Sequence, residues 1–301
     1  MLRSGEERCT NDWPRTGGAD LSAGRATAEI SGIAVEPTVE PTVEPTSAPL
    51  EDHRLAAQLA DEAGRLLVEL RARLHAADAP GAVLKAQGDR QAHELLMERL
   101  HTARPDDAIL SEEGRDDPAR LSAQRTWIID PLDGTREFSE VPRTDWAVHV
   151  ALVADSRPIA GAVALPGLGL LFSTAEPAPL PPTAAASVRL IVSRSRPPAA
   201  AVHVARDLGA EMVEMGSAGA KAMAVVRGES EVYVHSGGQY EWDSCAPVAV
   251  AVAAGCHVSR INGDELLYNQ KDPYLPDLLV CRPELAEAAL NSLASFASQT
   301  C

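Results

Sequence analysis

The stretch Trp127-Ile128-Ile129-Asp130-Pro131-Leu132-Asp133-Gly134-Thr135-Arg136-Glu137-Phe138 decides how the rest of the chain is read. Its first three residues are bulky and apolar, as in a buried strand. Two carboxylates follow, and Pro131 between them removes a backbone donor and directs a tight turn in place of ordinary strand pairing. Such a turn can aim Asp130, Asp133 and the Leu132 carbonyl into one small volume. Gly134 and Thr135 then offer backbone N–H groups at a helix start, a cradle for phosphate, and leave the Thr135 hydroxyl to hold a water. Carboxylates gathered at the end of a buried strand repel one another and lose hydration, which a divalent cation among them relieves. An Asp-Pro-x-Asp-Gly run is also a common surface turn, so the stretch in isolation leaves both readings open.

Two further acidic islands shift the balance. Upstream, Ser111-Glu112-Glu113 follows the short apolar pair Ile109-Leu110; downstream, Glu241-Trp242-Asp243 precedes an Ala/Val-rich helix. Each has a plainer reading. Asp243 suits a helix N-cap, and Glu112–Glu113, with Asp116 and Asp117 nearby, suits a solvated loop.

Working outward, residues 1–50 are expected to be a disordered extension. Its core is the repeat Val35-Glu36-Pro37-Thr38, continued to Thr46, whose prolines and like charges favour an extended solvated segment. Leu55, Leu59, Ala63, Leu66, Leu67, Leu70 and Leu74 form one helical stripe, and a second helix is expected over about Asp89–Thr102. Strands follow at 108–110, 127–129, 146–153, 159–164 and 170–173, an α+β order for a subdomain at 51–185. A Pro/Ala-rich break over 176–187 leads to an alternating α/β pattern at 186–301, with strands at 190–192, 212–214, 232–234 and 278–281 and helices near 199–208, 218–226, 245–254 and 284–296.

The bulk composition narrows the function. Of 301 residues 45% are hydrophobic, enough for a sizeable core, but only 4% are aromatic, so that core is aliphatic. A formal charge of −16 excludes polymeric nucleic acid as a partner, yet permits a small phosphorylated substrate. Five scattered cysteines without metal-type spacing, no secretory leader and no apolar run of about 18 residues predict a cytoplasmic protein with no membrane partner. Eight histidines show no paired ligand spacing; His149 reads as a packed polar residue and Cys245 as a small buried hydrophobe.

The central stretch, with Glu112-Glu113 before it and Trp242-Asp243-Ser244-Cys245-Ala246-Pro247 after it, resembles the three ordered motifs of the inositol monophosphatase superfamily over about residues 51–297. Within it, the chain is most similar to CysQ-type phosphatases, which act on 3′-phosphoadenosine 5′-phosphate (PAP). That likeness rests on Arg136-Glu137-Phe138, on Gly216-Ser217 with Lys221, and on Gly88-Asp89-Arg90-Gln91-Ala92, a run of actinobacterial style. The resemblance implies a layered αβαβα sandwich and a magnesium-dependent, lithium-inhibited phosphomonoesterase using two or three Mg2+ ions. PAP, or its sulfated precursor, would be the substrate, in the setting of sulfur assimilation.

Residue by residue, the resemblance makes Glu112, Asp130, the Leu132 carbonyl, Asp133 and Asp243 metal ligands. Thr135 would orient the attacking water and Asp89 accept the proton of its hydroxyl; the residues usual upstream of that Asp are replaced here by Leu84-Lys85-Ala86-Gln87. Candidate substrate contacts are Gly134, Thr135, Arg136, Ser217, Lys221, Arg194, Arg196 and Glu241. A solvated helix lysine and arginines placed at a strand end for solubility are the plainer readings of Lys221, Arg194 and Arg196. Inositol 1-phosphate or fructose 1,6-bisphosphate hydrolysis on the same metal core is the alternative activity. A non-catalytic phosphonucleotide-binding protein is the more distant one, and a homodimer is left open.

Overall fold

Apolar positions recurring at helical spacing, with Pro49 ahead of them, start the long first helix α1 (Leu50–Ala76). The computed structural model describes residues 48–182 and 187–300. The expected N-terminal extension up to residue 47 and residues 183–186 of the Pro/Ala-rich break lie outside the described residues. Leu59, Ala63, Leu67 and Leu70 of α1 are buried, each large side chain contributing about 1.5–3 kcal/mol of transfer free energy.

The second helix, α2, spans Gly81–Ala103 and begins two turns before the expected Asp89 start. Pro80, with φ −58°, sits before its first turn, where a missing N–H is harmless. Gly88 is therefore a helix-interior residue. A Cβ there would lie 2.7 Å from Leu132 and 2.9 Å from Phe138. The absent side chain is what lets α2 press against the central stretch.

Strands β1 (Ala108–Ser111), β2 (Thr126–Asp133), β3 (Ala147–Ala154), β4 (Arg157–Leu165) and β5 (Leu170–Ser173) form one sheet in that order. The β1–β2 pair is parallel and the rest antiparallel. Contrary to the expectation that Pro131 ends pairing, β2 runs on to Asp133, with a register shift between Asp130 and Asp133. The irregularity takes up the proline and turns both carboxylates. Helix α3 (Thr135–Ser139) follows directly.

The second sheet comprises β6 (Arg189–Ser193), β7 (Glu211–Met215), β8 (Val232–Tyr240), β9 (His257–Ser259) and β10 (Tyr274–Cys281), ordered β7-β6-β8-β10-β9. Strand β9 has no counterpart in the sequence reading, because three residues give no measurable alternation. Helices α4 (Ala199–Leu208), α5 (Ala218–Val226), α6 (Glu241–Ala254) and α7 (Ala286–Thr300) complete the chain. Helix α6 starts at Glu241, four residues before the expected Cys245. Asp243 is thus in its first turn, not ahead of it.

Three apolar clusters fix the layers. One joins α1 and α2 to the first sheet; a second places α5 and α6 between the two sheets; the third joins α4 and α7 to the far face of the second sheet. The order is helix, sheet, helix, sheet, helix, the αβαβα sandwich expected from the resemblance. Both sheets belong to one compact unit, Pro45–Cys301.

Candidate active site

Asp130 and Asp133 hang from the end of β2, and Asp243 from the first turn of α6, which packs against β2, β3 and β4. One carboxylate oxygen of each lies within 4.8 Å of the others. Asp130 is 1% exposed, and its Oδ1 accepts from the Leu132 amide at 3.0 Å, which locks the turn. Burial, then the charges of Glu112, Asp133 and Asp243, hold its carboxyl well above the ordinary range. Burial and Asp133 push Asp243 up to about 6, although its Oδ2 accepts from the Tyr240 amide at 2.8 Å.

Asp133 is treated differently. Its oxygens accept from Ser217 Oγ at 2.5 Å, from the Gly219 amide at 2.6 Å and from the Ala218 amide at 3.1 Å, so it caps α5. Burial works to raise its carboxyl, but His149, Lys221 and Ser217 win and hold it down at about 2. His149 is fully buried, with Nε2 3.2 Å from Asp133 Oδ2 and Nδ1 3.0 Å from the Trp242 carbonyl. A Cβ on Gly219 would fall 2.0 Å from His149 Nε2, so only glycine leaves the imidazole this seat.

Glu112 keeps an exposed face beyond β1, yet its carboxyl interacts with that of Asp130. Burial and the charge of Asp243 push it up to about 7. Thr135 Oγ1 reaches Asp89 Oδ1 and the Leu132 carbonyl, each at 3.1 Å. Burial and Glu113 raise Asp89 to about 6. The helix α2 that carries Asp89 and the helix α3 that begins with Thr135 are brought together at Gly88.

This crowding tests whether a cation fits. Two buried carboxylates and a half-buried third, with Glu112 beside them and His149 and Lys221 nearby, form an all-oxygen donor set. Hard divalent cations suit such a set.

Asp133 and Asp243 open onto a cavity of about 540 Å3, lined among others by Gly134, Ser193, Arg196, Ser217, Lys221, His235, Gly237, Gly238 and Gln239. Lys221 is 6% exposed, not the solvated helix lysine of the plainer reading. Its Nζ donates to the Gly216 and Ser217 carbonyls at 3.0 and 2.6 Å and stands 5.4 Å from the centre of the Tyr233 ring.

Three of the expected contacts are not brought to this cavity. Arg194 donates to Glu137 Oε1 and Glu140 Oε2, both at 2.7 Å. Arg136 is paired with Glu140 on the surface. Glu241 is buried and accepts from the Asn269 and Gln270 amides at 2.6 and 2.7 Å, pinning a loop. Each finds a partner within the protein, as the half-buried Arg194 and the buried Glu241 require.

The comparisons with known proteins bear on this geometry. A family model described as the inositol monophosphatase family matches residues 51–297. The chain belongs to the inositol monophosphatase family. It is 50% identical over 245 residues to the 3′-phosphoadenosine 5′-phosphate phosphatase of Mycobacterium tuberculosis, covering 77% of this chain and 90% of that one. It is 32% identical over 200 residues to the 3′(2′),5′-bisphosphate nucleotidase CysQ of Escherichia coli K12, covering 62% and 80%. Among solved structures, CysQ from Bacteroides thetaiotaomicron, a bacterial member of the inositol monophosphatase family, superposes with a TM-score of 0.65 at 25% identity. That match covers 77% of this chain and 97% of that one.

Sequence reasoning missed several site residues of this family member: His149, buried behind the carboxylates, and Ser193, His235, Gly237, Gly238 and Gln239 on the cavity wall. His235 Nε2 and Gln239 Oε1 are buried without a hydrogen-bond partner among the described residues. Burial and Lys221 push His235 down to about 4. The signal was the glycine pair shortly before Glu241-Trp242-Asp243, which marks a turn beside a motif.

Proposed function

We propose that the chain is a Mg2+-dependent phosphomonoesterase that removes the 3′-phosphate of PAP, giving AMP and phosphate. One observation carries the reading: Asp130, Asp133 and Asp243 converge within 4.8 Å, and Asp133 and Asp243 line a cavity that also holds Lys221 and Arg196. The 50% identity to a mycobacterial enzyme named for PAP supports the substrate. Glu112, Asp130, the Leu132 carbonyl, Asp133 and Asp243 would hold the magnesium, two or three ions, with lithium as inhibitor. Magnesium bound there supplies charge neutralisation of the phosphate oxygens and makes water acidic enough to attack near neutral pH.

The chain's own groups do the rest. The Thr135 hydroxyl donates to Asp89, which leaves its lone pairs to accept from a water and orient it toward phosphorus. Asp89, raised to about 6, is a base suited to drawing that proton along the Thr135 hydroxyl. Lys221 and Arg196 add positive charge to a wall that is otherwise acidic and favour a dianion. The His149 contact and the cap on α5 hold Asp133 ionised and fixed, so its oxygens keep one geometry through the reaction.

The test is phosphate release from PAP, inositol 1-phosphate and fructose 1,6-bisphosphate side by side, with magnesium and with excess chelator. Magnesium-dependent release with the highest kcat/KM on PAP is expected. Faster turnover of a sugar phosphate would discard PAP as substrate, and release that survives chelation would discard the metal chemistry.

A further inference from the structure

We infer that Tyr240, Trp242 and Tyr274 form the platform on which the base of a nucleotide substrate stacks. The inference rests on the nucleotide-phosphatase reading and adds to it the element that selects a nucleotide over a sugar phosphate. Aromatic residues are scarce in this chain: four Trp, four Tyr and three Phe in 301 residues. Trp127, Trp146, Tyr233, Tyr268 and Phe138 are fully buried. Tyr240 and Tyr274 are 43% and 44% exposed. The Tyr240 ring lies on Trp242 with centroids 4.9 Å apart and planes 9° from parallel, and Tyr274 meets Tyr240 edge-on at 5.8 Å. The ladder rests on Trp242, which packs half-buried against the core, and leaves the two tyrosine rings open to solvent. It presents a flat π-face to a ring from outside.

Its position ties it to the reacting end. The Tyr240 amide donates to Asp243 Oδ2 at 2.8 Å, so the platform begins one hydrogen bond from the carboxylate cluster. The Tyr274 hydroxyl accepts from the Gly238 amide at 3.1 Å, and Gly238 is part of the cavity wall. The backbone pairing of Tyr240 with Tyr274 across β8 and β10 fixes the two rings to the same ladder. Between cavity and platform run Gly237 and Gly238, with φ of +89° and +81°, and a Cβ on either would meet nothing within 4 Å. That bare backbone leaves open room for a ribose joining a phosphate among the carboxylates to a base on the rings. An inositol or fructose phosphate has no aromatic ring to place there.

The experiment measures kcat and KM for PAP and for its abasic analogue, ribose 3,5-bisphosphate, with wild type, Tyr240→Ala and Tyr240→Phe, all as the full chain with magnesium. Tyr240→Ala is expected to shrink the kcat/KM preference for the base-bearing substrate by about 5- to 150-fold, the span that losing one base–aromatic stack carries. The loss should fall on KM, and Tyr240→Phe should keep the preference. AMP titration followed by tryptophan emission gives a readout without turnover: wild type should respond, and Trp242→Phe should lose the response. If Tyr240→Ala does not fold, this titration decides. An unchanged preference, equal losses on both substrates, or AMP binding without a change in emission would overturn the platform. So would a change in sedimentation with no change in preference, which assigns the rings to a protein partner. Should wild type release no phosphate from either bisphosphate, the phosphatase reading falls, while the AMP titration still judges the platform.

Discussion

Thr135 is the residue whose replacement separates chemistry from packing. Its Oγ1 is within 3.1 Å of both Asp89 and the Leu132 carbonyl. Thr135→Val keeps the shape and removes the relay, so kcat on PAP should fall by about 10^2- to 10^4-fold with little change in KM. Thr135→Ser should restore most of it, as a side-by-side steady-state assay would reveal. Asp130 carries the opposite kind of test. Without metal, its buried carboxylate faces Glu112, Asp133 and Asp243, so the charge opposes folding. Asn at this position keeps the acceptor for the Leu132 amide and removes that charge. In chelator, Asp130→Asn should therefore melt above wild type, each kcal/mol appearing as about 2–4 °C. Magnesium should raise the wild-type melting temperature and leave the variant nearly unmoved. A wild type that melts higher than the variant in chelator would contradict the repulsion argument.

Elements meet in this protein at glycines, and α2 shows the consequence. Alanine in place of a helix-interior glycine ordinarily stabilises by about 1 kcal/mol. At Gly88 the new methyl would sit 2.7 Å from Leu132 and 2.9 Å from Phe138, so the sign reverses. Gly88→Ala should destabilise by about 1–3 kcal/mol in urea unfolding. Because α2 also carries Asp89, it should lower kcat as the helix moves off Thr135. A variant more stable than wild type with full activity would show that the two elements have slack. The α6 start illustrates what periodicity misses. Glu241, Trp242 and Asp243 read as a motif before a helix, yet they form its first turn, because the 269–273 segment ahead of β10 satisfies that end. The Glu241 amide donates to the Pro273 carbonyl, and its carboxylate takes the Asn269 and Gln270 amides.

At the scale of the whole molecule, the outer helices are tied to the first sheet by a half-buried ion cluster centred on Asp52. Asp52, 1% exposed at the start of α1, accepts from Arg104 beyond α2 at 2.8 Å and pairs with Arg125 ahead of β2 at 2.9 Å. Arg125 also holds Asp107, which accepts from Trp127 Nε1 at 2.9 Å. Burial works to raise the Asp52 carboxyl, but the Arg125 and Arg104 hydrogen bonds and charges hold it below its ordinary value. A carboxyl depressed in the folded state binds fewer protons there than in the unfolded chain. Its stabilisation is therefore complete above about pH 4 and is lost as pH falls below that. Urea midpoints should drop as pH falls from about 4 to about 2, and the drop should be smaller in Asp52→Asn, which starts lower. Equal slopes for the two proteins would remove Asp52 from the acid response.

The sequence by itself determined most of the elements, though not β9 or where α2 and α6 begin, and the chemistry carried at their ends. The apolar stripe of α1, the buried run of β2 and the alternation after residue 186 each follow from local periodicity. Asp130, Asp133 and Thr135 lie within six residues of one another, so a turn suffices to gather them. Only the tertiary structure decided which distant groups join them. Asp243, from a helix more than a hundred positions on, and His149, from the neighbouring strand, reach Asp133 because α5 and α6 are packed between the sheets. The same packing took Arg194 and Glu241 away from the cavity and gave it His235 and Gln239. A charged side chain's partner is set by which surfaces the layers bring face to face, and no local pattern encodes that.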